Sequence, residues 1–134
     1  MLTKEQIICE ITPLMRELGF KKRKTTWYLC KDDITVVFNI QNSQYDRDAY
    51  YINLGTNIKK LNNVIYPSIS SCCLWQRIDV DFISCSQIVQ TVKLWIAWYG
   101  SIEAIRSKVV EKRMPMTTKK VLYEYISTLY GHIS

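Results

Sequence analysis

Asp79 and Asp81 alternate at the exit of a segment with strand-like patterning, so both carboxylates can turn to one side, as paired acids or a divalent-cation site require. Asp46 and Asp48 repeat that spacing inside a polar loop. Acids flanking a turn are more often solvated turn formers than catalysts, and nothing nearby supplies a base. The only histidine, His132, is two residues from the end, where a chain frays. The four glycines at 19, 55, 100 and 131 are scattered, so no phosphate-cradling loop exists. The five cysteines include one close pair, Cys72-Cys73, which is adjacent and bridges to itself only under strain. Without CxxC spacing or paired histidines, a zinc site is not expected, and the thiols read as small hydrophobes. No catalytic residue, metal or cofactor is therefore expected. A small-molecule enzyme is the remotest of three functional readings.

Recognition chemistry is better represented. The stretch QNSQYDRDAYYINLG, Gln41 to Gly55, places amides and phenols in a forming hairpin. Strand alternation puts Asn39, Gln41, Tyr51 and Asn53 on one face, with Arg77 joining from a later strand if register permits and Tyr45 in the connecting loop. Amides and phenols are adaptable hydrogen-bonding groups, and Tyr and Arg commonly anchor interfaces. An ordinary wet sheet face alternates in the same way but favours Lys, Glu and Thr. A second constellation is basic: Lys21, Lys22, Arg23 and Lys24 beside Trp27 and Tyr28, together with Lys59 and Lys60, can neutralise phosphates and stack bases. The plain reading of that first run is a solvated turn complementing the negative end of a helix.

The elements that must position these groups can be read from period and caps. Thr3 with Gln6 is a capping box, followed by Ile7, Ile8, Ile11, Leu14, Met15 and Leu18 at helical spacing and closed by Gly19. Pro13 inside this helix predicts a kink or two short pieces. The period then changes to two. TWYLCK, ITVVFNIQ and AYYINLGTNI are predicted strands, with Asp32-Asp33 as the first turn and a loop centred near Asp46 as the second. That register sets Phe38 opposite Leu54 and Ile40 opposite Ile52 on an apolar face, and Asn39 opposite Asn53 and Gln41 opposite Tyr51 on a polar one. A one-residue slip would scramble both. KKLNNVIYPS reads as a loop, broken by Pro67. CLWQRIDV is a fourth strand, alternating Leu74, Gln76 and Ile78 with Trp75 and Arg77.

Ser84 with Gln87 opens a second capped helix, Ile88 to Tyr99, stopped by Gly100. Leu94, Trp95 and Trp98 widen its apolar surface, and an exposed Trp98 would mark an interface. A third helix runs from Ile102 to Arg113, and a fourth from about Thr118 to Tyr130 with a stripe of Val121, Leu122, Tyr125, Ile126 and Leu129. The predicted fold is α+β: an N-terminal helix, a four-stranded antiparallel meander, then helices packed on one sheet face, in one domain over residues 1–134.

At 134 residues, 48% hydrophobic and 22% charged, the composition is that of a globular chain able to bury a core. No apolar run approaches the ~20 residues of a membrane-crossing helix, and the start MLTKEQIICEI has no export-signal pattern. A cytoplasmic location is expected. The net charge is +6, most of it carried by residues 59–134. Such a balance steers acidic partners or polyanions toward the surface.

GFKKRKTTWY, VVFNIQNSQYDRDAYYINLG and YPSISSCCLWQRID together resemble successive blocks of the bacterial domain-of-unknown-function family 4304, over about residues 18–80. Ile40-Gln41-Asn42-Ser43, Tyr50 to Gly55, Cys73 and Arg77 carry the likeness. Asn42 stands where a basic residue is usual, and Cys73-Leu74-Trp75-Gln76 where a histidine-containing segment is common. The resemblance implies a small bacterial α+β protein with no established reaction, and a place for some members in toxin–immunity gene neighbourhoods. The leading expectation is thus a non-catalytic protein-binding domain, an immunity protein that neutralises a toxin by occlusion through its polar sheet face and the 42–49 loop. Because the chain is basic, the expected partner surface is acidic and non-nuclease. A basic nucleic-acid-binding module is the alternative.

Overall fold

The structure, a computed structural model, describes residues 2–45, 49–78 and 84–131. The first helix, α1 (Lys4–Glu17), opens with Thr3 and Gln6 closing the capping box in both directions. Pro13 leaves it as one continuous helix rather than two pieces. Only one intrahelical bond is lost to the missing proline N–H, and Ile7, Ile11 and Met15, all fully buried, hold the segment on the sheet. Gly19 at φ +97° ends it. The N–H of Gly19 donates to the Arg16 carbonyl and that of Phe20 to the Met15 carbonyl, a Schellman closure that turns the chain back and buries Phe20.

That reversal produces the main departure from the expected topology. Lys21–Arg23 is not a free basic turn but a short strand, β1, paired antiparallel with β2 (Thr26–Cys30). Among the described residues the sheet therefore has five strands, not four, in the order β1-β2-β3-β4-β5, with β3 (Ile34–Asn42), β4 (Tyr50–Ile58) and β5 (Leu74–Ile78) completing the meander. Lys24, at φ +56°, makes the tight turn between β1 and β2. The β3–β4 register agrees with the sequence-based expectation at every pair: Phe38 faces Leu54, Ile40 faces Ile52, Asn39 faces Asn53 and Gln41 faces Tyr51.

Among the described residues four α-helices accompany the sheet: α1, α2 (Cys85–Tyr99), α3 (Ile102–Glu111) and α4 (Lys120–Tyr130). The main core joins Ile7, Ile11 and Met15 of α1 to Ile88, Val92 and Trp95 of α2. Ile105 of α3 and Leu122 and Ile126 of α4 pack with the sheet side chains Val36, Phe38, Ile52 and Leu54 in the same cluster. The N-terminal helix thus shares the sheet face taken by the C-terminal ones. α2 is further fixed by a buried polar chain: the Trp95 indole donates to Thr56 Oγ1 at 2.9 Å, and that hydroxyl donates to the Tyr99 carbonyl at 3.0 Å. The apolar stripe of α4 is narrower than the sequence indicates, because Val121 and Leu129 remain exposed. Trp98 is half-buried rather than open, with Lys108 Nζ 4.1 Å and the Arg113 guanidinium 5.9 Å from its ring centre. Among the described residues no helix is long and apolar enough to cross a membrane.

The carbonyls of Cys73 and Trp75, at the start of the outermost strand β5, accept hydrogen bonds from the Lys119 N–H and the Thr117 hydroxyl. The segment before α4 is thereby tied along that strand.

Candidate functional site

The face of the sheet away from the helices is divided in two. Along one half, the connection from β4 to β5 folds back as a lid. Tyr28, Val37 and Cys72 form a second small core with Ile69 and Trp75 against it. Gly55 lies beneath this lid, where an added Cβ would stand 3.0 Å from Cys72 Sγ and 3.3 Å from the Leu74 carbonyl oxygen. Asn57, fully buried, donates to the Asn62 carbonyl at 2.8 Å and so pins the start of the lid.

The lid seals its cysteines. Burial pushes the Cys72 thiol up from an ordinary 9.0 to about 12, with Cys73 adding to the rise and Lys119 opposing it. Burial also raises Cys73. An unfolded chain loses these protons near the ordinary 9.0, whereas folded Cys72 keeps its proton until about 12. The stabilisation from the buried neutral thiol is therefore complete below the lower value and lost as pH rises toward the upper one. The denaturation midpoint should fall across that alkaline range, and less steeply for Cys72→Ala. A thiol-labelling assay at neutral pH should find Cys9 and Cys30, the two exposed cysteines, reacting quickly, while Cys72, Cys73 and Cys85 react only after unfolding.

The other half of the face is open and holds the polar residues. Strand pairing aligns one residue from each of the five strands in a single row: Arg23 with Thr26, Thr26 with Asn39, Asn39 with Asn53, and Asn53 with Arg77. The row spans about 19 Å at the usual strand spacing. From Thr26 to Arg77 the side chains are hydrogen-bonded together. Arg77 Nε donates to Asn53 Oδ1 at 3.2 Å. Asn53 Nδ2 lies 3.3 Å from both Asn39 Oδ1 and Gln41 Oε1, and Asn39 Nδ2 donates to Thr26 Oγ1 at 2.9 Å. Asn53 is fully buried in the middle of this network.

Both guanidinium groups stack on aromatic rings. Arg77 lies 4.0 Å from the centre of Tyr51, and Arg23 lies 3.9 Å from the centre of Tyr66, a lid residue. A concavity of about 530 Å³ lies between the open row and the lid, lined by Thr26, Asn39, Gln41 and Arg77 on one side and by Tyr66 and Trp75 on the other.

The structure thus gathers Asn39, Gln41, Tyr51, Asn53 and Arg77 of the sequence-derived set, and the Asn53–Arg77 pairing brings in the arginine whose place was conditional on register. Tyr45 is 93% exposed on the β3–β4 connection, with its backbone N–H bonded to Ser43 Oγ, and takes no part in the network. The basic set is dispersed. Arg23 joins the polar row, whereas Lys22 points to the opposite face, 5.7 Å from the Trp27 ring centre. Lys21 pairs with Tyr28 at the lid edge, and Lys24 occupies the turn. Lys59 and Lys60 follow Ile58, which pairs with Ile34. Lys59 is therefore six residues, or roughly 20 Å, along the chain from the row, with Lys60 one further, and Lys59 Nζ donates to the Lys31 carbonyl. One continuous cationic patch is not formed. Asp46, Asp48, Asp79, Asp81 and His132 lie outside the described residues. Among the described residues no group of three or more His, Cys, Asp or Glu side chains is placed to hold a metal ion.

Sequence reasoning missed Arg23 and Thr26 as parts of the open row, and Tyr66 as part of the wall facing it. The signal for the lid was available in ITVVF, where consecutive apolar residues indicate burial on both faces rather than one.

A five-stranded antiparallel meander with helices on one face, and a lid and an amide–arginine row on the other, defines an α+β domain built around a single sheet. The chain belongs to the domain-of-unknown-function family DUF4304, whose model matches residues 11–119. No curated protein and no solved structure shows significant similarity to it.

Proposed function

We propose that this chain is a non-catalytic protein-binding domain that captures a partner with an acidic surface on the open half of its sheet. The observation that carries the reading is the five-strand row Arg23–Thr26–Asn39–Asn53–Arg77, with a cation at each end and a hydrogen-bonded amide network between. Its residues are prearranged by their own contacts, which lowers the ordering cost a partner must overcome. The stacked Arg77–Tyr51 pair supplies the residue types that anchor interfaces. The partner class that the family resemblance points to is a bacterial toxin, neutralised by covering its working surface.

The test is capture of a single protein by the immobilised chain from the cells that make it. Tyr51→Ala and Arg77→Ala should each weaken capture by about tenfold or more, corresponding to at least ~1.4 kcal/mol, with unchanged circular dichroism. Capture that survives both changes would remove this face from consideration. Binding to generic DNA or RNA that falls steeply with salt and disappears in Lys21→Glu would favour the nucleic-acid reading instead.

A further inference from the structure

Resting on the protein-binding reading, we infer that the open row is a carboxylate receptor, made so by the direction in which its amides are forced to point. Arg77 sets the direction. A guanidinium can only donate, so the oxygen of Asn53 must face Arg77 Nε, as it does at 3.2 Å. Asn53 then has to turn its NH2 group the other way, toward Asn39 Oδ1 and Gln41 Oε1. Asn39 in turn presents its own NH2 group to Thr26 Oγ1. One donor-only residue at the end of the row thus fixes every amide in it.

The consequence is a polarity. The side-chain oxygens of Asn53, Asn39 and Gln41 are all engaged inside the network. The amide hydrogens left for a ligand are the NH2 group of Gln41 and the second hydrogen of Asn39, both on residues that line the concavity. No Asp or Glu is among the described lining residues, and Arg77 adds positive charge. A donor-rich, positively charged pocket selects an oxyanion over an amine or a neutral amide.

Its dimensions select the source. From the Asn39 and Gln41 levels to the Trp75 level is two to four residues along the strands, or about 7–13 Å. A lone small acid cannot reach from the amide edge to the Tyr66 and Trp75 wall. An extended protein segment can, with an acidic side chain on the amides and an apolar or aromatic one two to four residues away on the wall.

The test uses the intact chain and three probes: an acetylated, amidated Glu-Thr-Phe peptide, its Gln-Thr-Phe counterpart, and succinate. The readout is the side-chain amide NMR signals of Gln41 and Asn39. The Glu peptide should shift both and bind about tenfold more tightly than the Gln peptide and than succinate. Gln41→Glu keeps an oxygen to accept from Asn53 but replaces the outward donors with a carboxylate. It should abolish the response, and Gln41→Leu should do the same. Equal binding of the Glu and Gln peptides, or full binding by Gln41→Glu, would overturn the carboxylate assignment. Succinate binding as tightly as the Glu peptide would overturn the assignment to a protein segment. Partner capture lost in Arg77→Ala without any peptide response would defeat this inference alone and leave the protein-binding reading standing.

Discussion

Gly55→Val is expected to destabilise the fold by about 3 kcal/mol or more, lowering the melting temperature by roughly 10 °C for a chain of this size. The absent side chain at Gly55 is what lets the lid seat. A Cβ there already stands 3.0 Å from Cys72 Sγ and 3.2 Å from its Cβ, and 3.3 Å from the Leu74 carbonyl oxygen, so branching at that carbon has backbone in its way. Relief requires β5 or the lid to move off β4, and either movement opens the small core of Tyr28, Val37 and Cys72. Thermal melting combined with thiol labelling separates this from a general loss of stability. Cys72 should become reactive in the native Gly55→Val protein at a temperature where Cys85, on the helix face, is still protected. If Gly55→Val melts with the parent protein, the close packing of lid on strand is refuted.

Asn53→Leu is the second large effect, expected at about 2–3 kcal/mol of stability together with loss of partner capture. Leucine matches asparagine in branching and heavy-atom count, though its methyl groups are bulkier, so most of the cost comes from the groups left behind. Asn39 Oδ1 and Gln41 Oε1 lose their donor, and Arg77 Nε loses its acceptor, around a position with no exposure to water. Gln41 and Arg77 are exposed enough to rehydrate, while half-buried Asn39 is not, which limits the penalty to this range. Equilibrium urea denaturation measures the first effect and partner capture the second. Since Asn53 touches no partner through its buried side chain, capture that persists in Asn53→Leu would show that the row need not be prearranged.

How much of this was written in the chain depends on which force decided each element. The β3–β4 hairpin was fully legible, because Phe38, Ile40, Ile52 and Leu54 against Asn39, Gln41, Tyr51 and Asn53 admit a single register that keeps the greasy set together. Arg77 was legible only conditionally: its face followed from alternation, but its row depended on the β4–β5 pairing. β1 was not legible. Three successive basic residues have neither alternation nor strand propensity, and they become a strand only because the Schellman turn at Gly19 delivers them beside β2, whose unpaired edge supplies the ladder. The dispersal of the basic set has the same cause, since strand geometry sends Lys22 to the opposite face from Lys21 and Arg23. The lid was hidden for a different reason. Pro67 and the amides around it mark a loop correctly, but which surface a loop covers is settled by long-range packing of Tyr66, Ile69 and Cys72 and not by local sequence.

Both margins of the sheet are guarded against newcomers. On one side stand Lys21, Lys22 and Arg23, whose mutual repulsion discourages a neighbouring copy from aligning there. On the other, the stretch preceding the last helix already occupies the carbonyls of Cys73 and Trp75. A visitor finds little ladder to extend and does better to land flat, reading side chains instead of backbone. Such a molecule should stay free of fibrils when concentrated, and its choice of companion should rest on the handful of groups it displays in relief.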